Sequence, residues 1–175
     1  MCKVTFVKQL GHHETLEKMP KLDIDCVLYV CDVSCENLGL ILRSADIFGV
    51  NAVYYRQGNN TISNKQLSKL SRNSNVPVFF VDKIESLLKL KNDGYGIVAL
   101  EITNTSIPLS AVNFPHKTCL VIGNEQNGTP EDVLGIVDLS THIEMIGGHT
   151  SSLNVSVATS IALYEISQQH LNKER

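Results

Sequence analysis

Three short segments carry polar side chains where packing or capping would not by itself require them. The first is Asn37-Leu38-Gly39-Leu40-Ile41-Leu42-Arg43. Arg43 stands in apolar company, and its guanidinium stays charged and donates in a fixed fork that suits a phosphate or carboxylate. An ion pair with Asp46 or Glu36 on an exposed helix face would also satisfy it. Asn37, near the start of the segment, projects separately from the apolar face that Leu38, Leu42 and Ala45 can form. The second is Leu120-Val121-Ile122-Gly123-Asn124-Glu125-Gln126-Asn127-Gly128, an apolar run that enters a loop with glycine at each end. Gly123 and Gly128 allow close backbone approach or positive φ, and loops at strand carboxyl ends build ligand sites. Their spacing matches neither a dinucleotide nor a phosphate-loop fingerprint, so a simple turn remains open. The third joins Ile143-Glu144-Met145-Ile146-Gly147-Gly148 to His149-Thr150-Ser151-Ser152-Leu153-Asn154. Ser151, Ser152 and Asn154 crowd a helix start where a cap needs one residue, leaving polar groups and free N–H donors for a carboxylate or phosphate.

The elements that must position these residues alternate in type. Short β-rich runs are expected at Val27–Val30, Ala52–Tyr55, Val78–Val81, Gly96–Leu100, Cys119–Ile122 and Thr141–Ile143. Several are continuously apolar, as central parallel strands covered on both faces are. Helices are expected at Glu36–Phe48, Asn64–Arg72, Lys83–Asn92 and about Ser152–His170, the first stopped by Gly49 and the third by Asp93 and Gly94. In the last helix Leu153, Val157 and Ile161 repeat at i, i+4, i+8 beside Ala158, Ala162 and Ile166, and together they read as one broad buried stripe. The pattern is that of an α/β fold with a mostly parallel sheet and helices on both faces. One domain over residues 1–175 is the natural division, with about 1–24, including His12, His13 and a short helical pattern at Glu14–Lys18, as an edge segment. Thr103–His116 reads as an irregular surface connection.

Composition narrows the function. No apolar run approaches the roughly 20 residues that cross a bilayer, and the start lacks an apolar signal segment, so a membrane partner is not expected and a cytoplasmic location is. Cys2, Cys26, Cys31, Cys35 and Cys119 have no paired CxxC spacing and read as reduced, structural thiols. No metal is expected: His142 and His149 lie seven residues apart with no carboxylate cluster beside them. A net charge of −3 confines any nucleic-acid site to local basic groups, Lys65, Lys69 and Arg72 or Lys83, Lys89 and Lys91, which could equally be solvated helix faces.

Taken together and in order, the three segments resemble the motifs of the SpoU/TrmH family of SPOUT RNA methyltransferases, from about Val27 to Ser167. The resemblance implies a deep C-terminal trefoil knot, an exception to the rule of unknotted connections, with residues of about 119–170 as the knotted cofactor-binding region. It implies a homodimer that transfers a methyl group from S-adenosylmethionine to a ribose 2′-OH of RNA. Leu100, Gly123, Asn124, Gly128, Ile143, Met145 and Leu153 would then bind the cofactor. Arg43 would act on the target phosphate or 2′-oxygen from across the dimer, Asn37 would order the site, and Glu125, Ser152 and Asn154 would shape it and contact substrate. Transfer RNA is favoured over ribosomal RNA because many ribosomal-RNA members carry a separate N-terminal RNA-binding domain.

Two departures from the family pattern stand out. Ile143-Glu144-Met145 replaces Ile-Pro-Met, which exchanges a fixed φ for a charge and an N–H, and Ser71-Arg72-Asn73-Ser74 is bulkier than the small residues usual there. The competing readings are a catalytically silent knotted RNA-binding module and a methyltransferase acting on a base or small molecule.

Overall fold

The computed structural model describes residues 24–70, 74–147 and 151–173. The expectations for the first 23 residues, for Ser71-Arg72-Asn73 and for Gly148-His149-Thr150 lie outside them. Seven strands form one sheet in the order β3-β2-β1-β6-β4-β7-β5, every pair parallel. They are β1 (Asp25–Cys31), β2 (Ala52–Arg56), β3 (Val78–Val81), β4 (Gly96–Leu100), β5 (Ile107–Pro108), β6 (Lys117–Ile122) and β7 (Leu139–His142). The helices are α1 (Cys35–Ile47), α2 (Asn64–Leu70), α3 (Glu85–Asn92), α4 (Glu131–Leu134) and α5 (Val155–Lys173).

The apolar strands serve two layers at once. On one face Leu28, Val30, Val98, Leu120 and Ile122 meet Leu38, Ile41 and Leu42 of α1 and Leu163 and Ile166 of α5. On the other, Val27, Tyr29, Ala99, Cys119 and Val121 meet Leu87 and Leu90 of α3 and Val133 of α4. Burial on both faces is why these runs lack the alternation of a half-exposed strand. It also pushes the thiols of Cys26 and Cys31 up to about 12, so neither is a thiolate nucleophile at neutral pH.

Local chemistry sets the helix ends. Ser34 caps α1 by accepting from the Asn37 N–H, and Gly49 at φ +72° closes it with Val50 N donating to Ala45 O, as in a Schellman motif. Gly94 at φ +90° ends α3 in the same way. Ser63 and Gln66 exchange side-chain and backbone bonds at the start of α2, forming a capping box.

Several boundaries differ from expectation. The last strand lies at 139–142 rather than 141–143, and α5 begins at Val155 because Asn154, not Ser152, caps it. The connection 103–116 contains β5 and a 3₁₀ turn at Leu109–Ala111, and α4 is a one-turn helix too short to leave a periodic signal. The buried stripe of α5 is corrected as well. Leu153, Val157 and Ile161 are exposed, and the face against the sheet carries Thr159, Ala162, Leu163, Ile166 and His170. Two flanks of this helix are apolar, and periodicity reports an apolar row without saying what covers it.

Leu42→Ala, which empties space in the α1–sheet layer, is expected to lower unfolding free energy by about 2–5 kcal/mol in urea titrations. The exposed Leu88→Ala is expected to change it by less than about 0.5 kcal/mol.

Candidate active site

A pocket of about 460 Å³ opens at the carboxyl ends of β4, β6 and β7, beneath the start of α5. Leu100, Ile122, Val155 and Ala158 give it an apolar lining. Gly123, Asn124 and Gly128 enter from the loop after β6, Ile143 and Met145 from the segment after β7, and Leu153 from the approach to α5. The seven residues expected to bind cofactor therefore share one cavity. Glu125, Ser152 and Asn154 also line it; Asn37 and Arg43 do not.

The loop after β6 is tightly built. A Cβ on Gly123 would stand 2.6 Å from the Gly128 carbonyl carbon and the Thr129 nitrogen, so no larger residue fits. Asn124 and Gly128 exchange backbone bonds of 2.9 Å, and Gly128 adopts φ +68°. The Asn124 side chain is spent on structure: its amide donates to Asp32 O at 2.6 Å, and its oxygen accepts from the Gln126 and Asn127 backbones. Glu101, which the sequence did not single out, accepts from Thr129 N at 2.8 Å and Thr129 Oγ1 at 3.0 Å, pinning the far end of the loop.

A second set of bonds joins the three motif segments. Glu125 Oε1 accepts from Ser34 N at 3.1 Å and from the Asn37 side-chain amide. Asn37 Oδ1 in turn accepts from Asn154 Nδ2 at 3.1 Å. Asn154 Oδ1 takes the N–H and hydroxyl of Ser156 at 2.9 and 2.6 Å. The relay thus ties the loop after β6 to the starts of α1 and α5. Partial burial pushes the Glu125 carboxyl up, but the bonds from Asn37 and the backbone outweigh it and hold the group below its ordinary range. Ser152 keeps its hydroxyl without a partner among the described residues.

Arg43 faces elsewhere. It is exposed on the flank of α1 that also carries Leu40 and Ile47, and it makes no ion pair with Asp46, Glu36 or any other described carboxylate. That flank adjoins the exposed Val157, Ile161 and Tyr164 of α5, because the two helices are held side by side by a 2.7 Å Ser44–Ser160 bond and an edge contact of Phe48 on Tyr164. Glu144, in the place of a proline, accepts from Ser110 Oγ at 3.1 Å, which tethers the segment through a side chain instead of a ring. His142 Nδ1 lies 3.0 Å from Ser106 Oγ, and among the described residues no three His, Cys, Asp or Glu side chains are grouped to hold a metal.

An open, parallel α/β sheet with a pocket at its strand carboxyl ends belongs to the class that binds small ligands there. Within that class the comparisons with known proteins are specific. The chain belongs to the SpoU rRNA Methylase family, whose model matches residues 27–164. It is 34% identical over 167 residues to the tRNA (guanosine(18)-2′-O)-methyltransferase of Aquifex aeolicus, covering 91% of this chain and 75% of that one. The crystal structure of the A. aeolicus TrmH/SpoU tRNA modifying enzyme superposes with a TM-score of 0.76 at 32% identity, covering 88% of this chain and 79% of that chain. The SpoU methyltransferase AviRb from Streptomyces viridochromogenes, solved in complex with the cofactor AdoMet, gives a TM-score of 0.74 at 25% identity, over 89% and 62% of the two chains.

The lowered Glu125 carboxyl makes the stability of the fold depend on pH. A carboxyl held below its ordinary range stabilises the fold above that range, and the contribution is lost as pH falls through the lowered value. The thermal midpoint of the chain should therefore exceed that of Glu125→Gln by a constant margin from about pH 6 upward, shrinking as the pH drops below about 4. A margin independent of pH would show that Glu125 is not held as the charged partner of this relay.

Proposed function

We propose that this chain transfers a methyl group from S-adenosylmethionine to a ribose 2′-hydroxyl of RNA, transfer RNA in preference to ribosomal RNA, and that it works in the cytoplasm as a homodimer. The observation that carries the reading is the division of the motif residues between two surfaces. Ten line one pocket, whereas Arg43 sits on a separate apolar flank.

The pocket suits the donor. Its volume is in the range of small-ligand sites, its apolar side can take a flat ring system, and the close packing of Gly123 against Gly128 and Thr129 holds the loop that forms one wall. Leu100, Gly123, Ile143, Met145 and Leu153 would hold the cofactor, with Asn124 and Gly128 shaping the loop around it. When bound, S-adenosylmethionine supplies an electrophilic methyl group. Support also comes from the cofactor-bound AviRb structure and from the name of the Aquifex relative, which specifies a 2′-O-methyl mark on tRNA.

Support for the dimer comes from the exposed flank. Leu40, Ile47, Val157, Ile161 and Tyr164 present a contiguous apolar surface that a second copy would cover. A two-fold pairing there carries Arg43 of one copy toward the pocket of the other. In that place the guanidinium orients an RNA phosphate and stabilises charge as the 2′-oxygen loses its proton. Asn37, through Glu125 and Asn154, keeps the acceptor side of the pocket in register, and Ser152 offers its free hydroxyl to the substrate. The segment 119–170 we take as the knotted, cofactor-binding part of a single domain. Its support is topological: β6 enters between β1 and β4, and β7 between β4 and β5, so late strands occupy places between earlier ones. Among the described residues no helix is long and apolar enough to cross a membrane.

Incorporation of tritiated methyl from S-adenosylmethionine into transfer RNA from a strain lacking this protein tests the activity, with ribosomal RNA as the comparison. Label in the transfer RNA, in nucleotides that resist alkaline cleavage, is expected; no label in either RNA despite cofactor binding would favour a silent RNA-binding module. Arg43→Ala should reduce transfer by about 10²–10³-fold with the fold and cofactor affinity retained. Mixing Arg43→Ala with a chain carrying Leu153→Asp, a change at an exposed residue of the pocket lining, should restore part of the activity, since one of the two sites in the mixed dimer is then complete. Unfolding of Arg43→Ala would contradict the placement.

A further inference from the structure

A second cavity, of about 440 Å³, lies beside the first and shares Asn124 and Glu125 with it. It is walled by the loops that follow three neighbouring strands: Asp32 and Ser34 after β1, Asn59 and Asn60 after β2, and Gln126 and Asn127 after β6. Four carboxamides beyond Asn124 therefore converge on one space.

The β2 loop is held in place by Asp32. That residue adopts φ +45°, and its carboxylate accepts from the backbone nitrogens of Gly58, Asn59 and Asn60 at 3.0, 2.8 and 2.8 Å. A Cβ on Gly58 would stand 2.5 Å from the same carboxylate. Asn60 returns a side-chain bond to Asp32 O at 2.8 Å. The carboxamides of Asn59, Gln126 and Asn127, by contrast, enter no hydrogen bond with any described residue; only their backbone nitrogens are used. A pinned loop thus presents amides with donors and acceptors to spare.

The charges choose among ligands. No Lys or Arg lines the cavity, and Asp32 and Glu125 do, so a phosphate would find no counter-charge. A cation is equally ill served, because the Asp32 oxygens already face three N–H donors. What remains is a neutral, flat group carrying both donors and acceptors along one edge. Carboxamides read the edge of a nucleobase in this manner, and unpaired RNA bases are splayed out to be read so.

We propose that this cavity holds the base of the nucleotide whose ribose is methylated, with Asn59, Gln126 and Asn127 as the residues that choose it. The proposal rests on the methyltransferase reading and adds the source of nucleotide specificity. The shared wall of Asn124 and Glu125 puts the base cavity next to the cofactor pocket, so a single nucleoside spans both, its ribose at the boundary.

The test uses the full chain, S-adenosylmethionine and transcripts of a transfer RNA that the wild type methylates, with the methylated position changed to each of the four bases. The wild type is expected to prefer one base by about 10- to 100-fold in kcat/KM. Asn59→Ala and Asn127→Ala, singly and together, are expected to reduce that preference to under about threefold, with the affinity for S-adenosylmethionine and the thermal midpoint unchanged. Variants that keep the wild-type preference, or a wild type indifferent to the base, would overturn the base cavity while leaving the methyltransferase reading intact. A wild type that methylates no RNA would overturn that reading, and the base cavity with it.

Discussion

One carboxylate oxygen holds the site together. Glu125 Oε1 receives the first N–H of the α1 turn at Ser34 and the amide of Asn37, and Asn37 passes the connection on to Asn154 at the head of α5. Helix starts leave backbone N–H groups unsatisfied; Ser34 and Asn154 cap theirs locally, and Glu125 adds a bond from a distant segment to the Ser34 N–H. Capping, loop closure and the alignment of three strand ends thereby become a single arrangement. Its charge-assisted bonds are stronger than neutral ones, and the lowered pKa of Glu125 is the titration counterpart of that preference. Both cavities use Glu125 as a wall, so any displacement of the relay reaches the two together.

The second constraint is an imbalance of apolar surface. The sheet consumes one flank of α1 and one of α5, and the flanks left over carry Leu40, Ile47, Val157, Ile161 and Tyr164 into solvent. An exposed apolar flank of this kind is the type of surface that a partner covers. Arg43 stands within it, away from the pocket of its own chain. The proposed two-fold pair would give that arginine a task, since interface and chemistry would then be built from the same helix face.

Much of this was legible in the residues, and the limits have physical causes. The central strands read correctly because burial on both faces makes them continuously apolar, and α1 and α3 read well because Gly49 and Gly94 mark their ends. The parallel sheet and the family followed from strand–helix alternation and the three motifs; the pocket then gathered ten of the named residues. Misplaced features were those that depend on partners distant in sequence. The row of Leu153, Val157 and Ile161 is apolar but outward-facing, a distinction periodicity does not carry. Glu101 and Asp32 were not singled out because their partners are backbone N–H groups of loops at 128–129 and 58–60. Ser34 was not singled out either, because the partner of its N–H, Glu125, is distant in sequence. Helix α4 and strand β5, of four and two residues, are shorter than any pattern window.

The most direct measurement of the central claim is calorimetric titration of S-adenosylmethionine into the wild type and into Asn37→Ala, whose side chain lies outside the cofactor pocket. If the relay through Glu125 and Asn154 organises that pocket, Asn37→Ala should weaken binding by about tenfold while remaining folded, the loss of one or two hydrogen bonds. Wild-type affinity in Asn37→Ala would contradict the account, since the pocket would then stand without the interaction said to hold it together.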